Sequence, residues 1–156
     1  MTKICLLIFV KSIFCADWDP ATNFRLPDTI RPRHYEIDLK PYLDPEDQGE
    51  EYNGPDPQHF DGISTAYFTA SEETSLLVIN SKYLDYKTLV VSEASNVGSE
   101  IPVEDYVLHD VDDTYEYLLI TLGQPLKPNV EYKLETTYTG YLKNNNYGFY
   151  IRWEML

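Results

Sequence analysis

Strict alternation of apolar and polar side chains is the feature that most constrains how this chain folds. In the stretch RHYEIDLKPYL, Tyr35, Ile37 and Leu39 alternate with charged residues, and VEYKLETTYTGYL, at residues 130–142, repeats the pattern. A period of two places every second side chain on the same side of an extended strand. The alternation therefore predicts β-strands, each with one buried face. After the first 16 residues no stretch shows a helical period.

Four further stretches have the composition of strands. FDGISTAYFTASEE alternates, SLLVINS and KTLVVSE are apolar on both faces, and YEYLLITL is rich in apolar residues. Turn residues separate them, most clearly in GQPLKPN, and runs that are apolar on both faces favour central strands. About seven strands with turns between them predict one all-β domain over residues 17–156, an antiparallel β-sandwich or saddle-like sheet.

Residues 1–16 have the three-part layout of a secretory signal peptide. A short basic start precedes an apolar run over residues 4–10, and small residues follow. The run is far shorter than the ~20 residues that span a bilayer, so we expect a cleaved signal and a secreted, extracellular protein. An uncleaved anchor at the outer face of the plasma membrane is the alternative. Both cysteines, Cys5 and Cys15, lie in this segment, so no disulfide framework is expected.

The charge balance excludes two classes of partner. The chain carries 26 acidic and 12 basic residues, a formal net charge of −14. Nucleic acids bind clustered cations that displace counterions from phosphates, and anionic membrane surfaces bind polybasic segments. We expect this chain to bind neither.

The sequence lacks the usual motifs of catalysis. Its three histidines, His34, His59 and His109, belong to no His-Glu-x-x-His zinc helix. There is also no Gly-x-Ser-x-Gly turn, no glycine-rich phosphate loop and no Cys-x-x-Cys pair. We therefore predict no catalytic, cofactor-binding or metal-binding residue in this chain.

Two acidic segments are the strongest candidates for a cation site. The first is EDYVLHDVDD, whose candidate ligands are Glu104, Asp105, His109, Asp110, Asp112 and Asp113. The second is the acidic run over residues 44–56. Hard cations need several converging oxygens, and calcium loops also use a glycine for a sharp turn. EDYVLHDVDD has neither the spacing nor the glycine, and the run at 44–56 is rich in proline and glycine. Both are interpreted as solvated loops.

The 14 tyrosines admit two interpretations. Aromatic faces stack on sugars, which suggests a carbohydrate-binding surface. However, five tyrosines fall on the apolar side of their strands: Tyr35, Tyr67, Tyr117, Tyr132 and Tyr138. Amphipathic tyrosines in half-buried sheets usually pack in the core, so the core interpretation is favoured.

The stretch FRLPDTIRPRHYEIDLKPYL resembles the opening of the N-terminal domain of the aminopeptidase N family of zinc metallopeptidases. The pattern consists of Arg25-Leu26-Pro27, then Pro32, then His34-Tyr35. Three more pieces follow in the family's order: FDGISTAYFTASEETSLLVINSKYL, YEYLLITLGQPLKPNVEYKLETTYTGYL and GFY. The resemblance implies a β-rich, saddle-shaped domain. In the family this domain precedes a thermolysin-like catalytic domain and helps to wall the cavity for peptide substrates.

This chain also departs from the family. The zinc-binding His-Glu-x-x-His helix, the further glutamate downstream and the Gly-Ala-Met-Glu-Asn segment that holds the substrate's amino group are absent from the sequence. No catalytic or zinc-ligating role is therefore carried over to any residue, and we expect no peptidase activity. Zinc is a cofactor of the full-length family, and none is expected in this chain. The expected partner is the catalytic domain of an aminopeptidase, or another protein, bound through an exposed apolar face.

The end of the chain differs from the family pattern as well. KNNNYG is typical of a hairpin tip, so a further strand is expected after it. After Gly148-Phe149-Tyr150 the family continues with Arg-Ser, whereas here Ile151 and Arg152 follow. We expect the last strand or strands of the domain to be missing, which would leave an unpaired sheet edge. The apolar residues of the tail are available to cover that edge: Ile151, Trp153, Met155 and Leu156.

Two other functions remain open at this point. In the first, the chain is a secreted binding module that docks on an aminopeptidase, a peptide or a glycan. In the second, it is an incomplete product of an active zinc aminopeptidase. The first requires a free surface with a partner. The second requires a continuation that contains the zinc helix.

Overall fold

The computed structural model describes residues 25–42, 58–96, 98–109 and 116–142. Within these ranges the chain forms eight β-strands in two antiparallel sheets, so the predicted all-β antiparallel fold is confirmed. The strands are β1 (Ile30–Tyr42), β2 (His59–Ala70), β3 (Thr74–Asn80), β4 (Leu84–Glu93), β5 (Glu100–Ile101), β6 (Val103–His109), β7 (Tyr117–Leu126) and β8 (Glu131–Tyr141). In this part of the chain there is no helix long and apolar enough to cross a bilayer. The predicted signal peptide, the acidic run at 44–56 and the apolar tail at 151–156 lie outside the described residues.

The larger sheet has the strand order β1-β2-β8-β4-β5, with β8 at its centre. Strand β8 shows why the alternation matters: Tyr132, Leu134, Thr136 and Tyr138 are buried, and the residues between them are only half-buried. Because successive side chains point to opposite sides of a strand, these four define the inner face of the larger sheet. That face packs against the smaller sheet.

The smaller sheet has the order β3-β7-β6 and supplies the other half of the core. Leu118 and Ile120 in β7 are completely buried, and they belong to one hydrophobic cluster with Val91 and Leu134 of the larger sheet. Apolar side chains from both sheets thus exclude water between them, which is the main source of stability in a sandwich of this kind.

The two sheets are joined along one side. Pro102 connects β5 of the larger sheet directly to β6 of the smaller one. Its carbonyl oxygen accepts a hydrogen bond from the N–H of Gly123 in β7 at 2.8 Å. At the opposite side, β1 and β3 are the outermost described strands of their sheets.

The structure corrects two predictions about individual segments. The first half of the acidic segment EDYVLHDVDD is not a loop but part of β6, which pairs with β7. A register shift between Val103 and Asp105 interrupts the period of two and hides the strand in the sequence. Strand β3, predicted to be central because both of its faces are apolar, lies at an edge of the smaller sheet as far as the described residues extend.

Two glycines in the larger sheet lie under aromatic rings from the neighbouring strand. Phe60 is paired with Gly140, and Gly62 is paired with Tyr138, so each ring lies over the glycine opposite it. The two rings meet edge to face, with their centroids 6.3 Å apart and their planes at 90°. With Leu142 they form a second, smaller hydrophobic cluster.

Candidate functional site: an uncovered apolar face

Part of the inner face of the larger sheet is not covered by the smaller sheet. Tyr35, Ile37 and Leu39 of β1 are 56%, 62% and 40% exposed. Their register partners in β2 are residues 66, 64 and 62, which lie on the same side of the sheet as the buried Phe60 and Phe68. We call these three β1 residues the uncovered face. The prediction that this side of β1 is buried is therefore wrong, because the three-stranded sheet does not extend over the β1 edge of the five-stranded one.

A groove lies between the uncovered face and β3. Its volume is about 310 Å³, and none of the residues that line it is charged. Tyr35 and Ile37 form one wall, and four consecutive residues of β3, 77–80, form the other. On the floor the hydroxyl groups of Ser64 and Thr136 are hydrogen-bonded at 2.7 Å, so these two polar groups satisfy each other. Such a surface suits an apolar occupant rather than a charged ligand.

The opposite, outer side of the same sheet carries a polar cluster around Asp61. One carboxylate oxygen accepts hydrogen bonds from the hydroxyl of Thr139 at 2.8 Å and from the ammonium group of Lys87 at 3.1 Å. The other accepts a hydrogen bond from the hydroxyl of Tyr42 at 3.2 Å. These donors stabilise the ionised carboxylate, first of all Thr139 and then Lys87, and they lower the pKa of Asp61 below its ordinary value of 3.8.

The lowered pKa of Asp61 predicts a specific loss of stability in acid. A carboxyl group whose pKa is lower in the folded state stabilises the fold above its unfolded pKa, and the contribution disappears as the pH falls through the folded value. We therefore expect the wild type to be more stable than Asp61→Asn near neutral pH, and the difference to shrink as the pH falls through the ordinary value of 3.8 toward the lower folded value. Urea unfolding at a series of pH values measures it. In Thr139→Val, an NMR titration of Asp61 should give a pKa closer to 3.8; an unchanged titration would contradict the assignment.

The acidic candidates do not assemble into a cation site in the described residues. Glu104 and Asp105 lie exposed on β6, and His109 lies half-buried at its end. Within residues 25–42, 58–96, 98–109 and 116–142 no group of three or more histidine, cysteine or acidic side chains is arranged to hold a metal ion. The remaining candidates, Asp110, Asp112 and Asp113, lie outside these ranges.

The other two histidines are engaged in contacts on the larger sheet. The Nε2 atom of His34 lies 3.7 Å from a carboxylate oxygen of Glu36 on the exposed β1 strand. The ring of His59 is stacked on that of Tyr42, with the centroids 4.5 Å apart. Neither contact pairs a histidine with a serine or cysteine side chain.

The five tyrosines differ in how far their side chains are buried. Tyr117, Tyr132 and Tyr138 are buried, as the core interpretation predicts, and the hydroxyl of Tyr132 accepts a hydrogen bond from the N–H of Lys127 at 2.8 Å. Tyr67 is half-buried. Tyr35 is exposed, and the sequence contains no signal that separates it from the buried tyrosines.

Solved structures with this fold include a metallopeptidase. The chain is similar to a two-domain M1 zinc metallopeptidase whose crystal structure contains bound L-tryptophan, with a TM-score of 0.50 and 20% sequence identity. The similarity covers 75% of this chain and 22% of that one. At this level of identity the comparison establishes the fold.

Sequence comparisons show several relatives among aminopeptidases. Aminopeptidase N of Canis lupus familiaris is 34% identical over 134 residues, and that of Homo sapiens is 32% identical over 134 residues. The membrane alanyl aminopeptidase of Manduca sexta is 33% identical over 133 residues. The matches cover 84%, 82% and 84% of this chain, respectively, but the chain spans about 13% of the length of each relative.

A family model identifies which part of those relatives the chain corresponds to. The model of the peptidase M1 N-terminal domain matches residues 31–154, most of the 156-residue chain. The match includes all eight described strands except the first residue of β1. The chain belongs to the family of peptidase M1 N-terminal domains.

Proposed function

We propose that this chain is the non-catalytic N-terminal β domain of a secreted or membrane-associated zinc aminopeptidase-like protein. Its role is to dock beside a thermolysin-like catalytic domain and to form one wall of the cavity for peptide substrates. The observation that carries the proposal is the uncovered face: three large apolar side chains of β1 point to the inner side of the sheet and remain 40–62% exposed. Contiguous exposed apolar surface of this kind usually marks a contact with another protein.

In this proposal the catalytic domain that this chain docks on carries out peptide hydrolysis, and this chain does not. The relatives are aminopeptidases nearly eight times as long as the stretch they share with it, as the 13% coverage shows. The described residues supply an apolar groove but no cluster of metal ligands. Purified protein should therefore not hydrolyse an amino-acid arylamide. Chelator-sensitive turnover with one zinc bound per chain would contradict this proposal and favour an active enzyme.

Complementation with an aminopeptidase that lacks its own N-terminal domain tests the docking. The chain is co-expressed with an aminopeptidase N from which the matching stretch has been deleted, and arylamide hydrolysis is measured. We expect activity to be restored by the wild-type chain and reduced roughly tenfold or more by Ile37→Lys, because a charge placed in an apolar contact loses at least about 1.4 kcal/mol.

Ile63→Lys provides a matched control for this experiment. Ile63 is 59% exposed, almost the same as the 62% of Ile37, but it lies on the outer face of the neighbouring strand. We expect it to complement like the wild type. Equal activity of the two lysine variants would reject the uncovered face as the docking surface. Binding without any gain of activity would favour a separate binding module.

A further inference from the structure

A polar cavity lies on the outer side of the larger sheet, at the end that carries β5. Its volume is about 220 Å³. Ser92 of β4 is paired with Lys133 of β8 on one side and with Glu100 of β5 on the other, so the three side chains form one row. The preceding residue, Val91, is completely buried between the sheets, so Ser92 points to the outer side. The cavity is therefore separate from the uncovered face, which lies on the inner side.

Ser92 has a buried hydroxyl group without a partner among the described residues. It lines the cavity and is only 5% exposed, and its side chain makes no hydrogen bond within the described ranges. Two other buried hydroxyl groups do have partners: Ser81 accepts from the hydroxyl of Tyr86 at 3.1 Å, and Thr136 is bonded to Ser64 at 2.7 Å. A buried hydroxyl group without a hydrogen bond destabilises a protein. Ser92 therefore points to a ligand with polar groups.

The charged groups around Ser92 give the cavity an excess of negative charge. Three carboxylates line it, those of Glu93, Glu100 and Glu135, against the one ammonium group of Lys133. Lys133 Nζ lies 2.8 Å from a carboxylate oxygen of Glu135, and the hydrogen bond to this group is the main cause of the raised pKa of Lys133. Glu93 and Glu100 make no ion pair within the described residues. These two remaining carboxylates favour a cation.

The arrangement of the carboxylates favours a cation of several atoms over a metal ion. Within the described residues no three histidine, cysteine or acidic side chains are arranged to hold a metal ion. A guanidinium group instead presents five N–H donors around a plane, so it can bond to acceptors on different sides of a cavity. Carboxylate and hydroxyl oxygens are suitable acceptors for it. It is also more weakly hydrated than an ammonium group, which lowers the cost of moving it beside a buried hydroxyl group.

Ser99 holds together one wall of the cavity. Its hydroxyl group donates to the carbonyl oxygen of Asn96 at 2.8 Å and accepts the main-chain N–H of Glu93 at 3.3 Å. The main-chain N–H of Ser99 also donates to the carbonyl oxygen of Asn96, at 3.3 Å. Glu93 and Asn96, which both line the cavity, are thereby held near each other. A wall that is ordered before binding reduces the entropy lost when a ligand enters.

We propose that this cavity binds a guanidinium group, for which Ser92 supplies a hydrogen-bond acceptor and Glu93 and Glu100 supply the opposite charge. The hydroxyl oxygen of Ser92 accepts an N–H of the ligand, and the two carboxylates balance its positive charge. The guanidinium group belongs either to a small molecule or to an arginine side chain of another protein. The net charge of the chain, −14, adds a long-range attraction for such ligands.

Titration of the full chain with capped amino acids tests the proposal. The probe is N-acetyl-arginine methylamide, and the control is N-acetyl-citrulline methylamide, in which a neutral urea group replaces the guanidinium group. Binding is followed through the NMR amide resonances of residues 92 and 133. We expect saturable shifts with the arginine probe and binding at least about tenfold weaker with the citrulline probe, because hydrogen bonds between charged groups are the stronger ones. Equal binding of the two probes, or shifts that do not saturate, overturns the proposal.

Ser92→Ala and Glu100→Gln locate the site, and Glu104→Gln is the matched control. Glu104 lies exposed on β6 and outside this cavity, and its replacement changes the net charge as much as Glu100→Gln does. We expect Ser92→Ala and Glu100→Gln each to weaken binding of the arginine probe roughly tenfold, since each removes a hydrogen bond to a charged group. Glu104→Gln should leave the binding unchanged. Equal weakening by the two glutamine substitutions overturns the proposal, because overall charge alone would then attract the probe.

A short peptide with one internal arginine distinguishes the two sources of the ligand. Both outcomes support the site: binding at least about tenfold tighter than that of the capped amino acid indicates an arginine of a partner protein, and equal binding indicates a small molecule. Failure of the peptide and the capped amino acid to bind overturns the proposal. Because these measurements involve neither the uncovered face nor a catalytic domain, their failure is distinguishable from a failure of the complementation experiment.

Discussion

Replacing Gly140 by alanine is expected to destabilise the domain by about 1–3 kcal/mol, the usual cost of overpacking a well-filled site. A β-carbon at this position would lie 2.1 Å from the nearest ring carbon of Phe60, closer than any real contact. The ring cannot simply turn aside, because Phe60 is 8% exposed and its edge-to-face partner Tyr138 is equally buried. The chain must therefore shift or the ring must leave the cluster. Urea unfolding measures the loss.

The pair of Gly62 and Tyr138 allows the same test at a second position, and a smaller side chain in place of Phe60 should relieve the overlap at Gly140. Gly62→Ala should cost a similar amount, since a β-carbon there would lie 2.2 Å from the ring of Tyr138. In the background of Phe60→Leu, Gly140→Ala should cost less than it does alone, and a double-mutant cycle measures the difference. Gly123→Ala is the control, because its nearest contacts are at 3.2 Å and involve the flexible side chain of Glu104. Additive effects of Phe60→Leu and Gly140→Ala would show that ring overlap is not the cause.

Replacing Leu118 by alanine is expected to have the largest effect on stability, about 2–5 kcal/mol. Leu118 has no exposed surface and lies in the main hydrophobic cluster between the sheets. Truncation removes its buried methyl groups and leaves a cavity, because both sheets are held in place by their hydrogen bonds. A domain of this size is typically stable by about 5–15 kcal/mol, so the loss is a large fraction of the total. The midpoint of thermal or urea unfolding reports it.

The adjacent leucine is a matched control. Leu119→Ala removes the same atoms from a half-buried side chain that points to the other face of β7. We expect a clearly smaller loss than for Leu118→Ala. Similar losses at the two positions would mean that the space between the sheets is not the core of the domain.

The all-β architecture could be predicted from the sequence because apolar and polar side chains alternate along strands that have one buried face. β8 is central and covered, and its four inner residues are buried as its alternation requires. β1 alternates just as cleanly, yet Ile37 and Tyr35 are exposed. Alternation reports which side of a strand is apolar but not whether another layer covers that side. The candidate functional surface therefore could not be separated from core before the three-dimensional arrangement was known.

Local irregularities account for the other differences. In β6 the register shift after Val103 moves the apolar residues from one phase to the other, so a strand resembles an acidic loop. In β3 the two apolar faces predict a central position, and Leu77 and Val78 are indeed both buried, yet the strand lies at an edge of the smaller sheet among the described residues. The packing role of Gly62 and Gly140 likewise cannot be predicted from the sequence, because it depends on which residue of the neighbouring strand is paired with each glycine.

The central position of β8 has a consequence for the order in which the nascent chain becomes structured. Ser64 in β2 and Thr136 in β8 are neighbours in the sheet but 72 positions apart in sequence, and Thr88 in β4 is 49 positions from its partner Thr137. Strands β1 and β2 alone form a two-stranded ribbon, which is marginally stable in water. During synthesis on the ribosome, β2 and β4 therefore cannot be joined in the larger sheet until residues 131–141, which form β8 between them, have been made. We therefore expect β8 to set the time at which the larger sheet assembles, and contacts this distant in sequence to make that step slow.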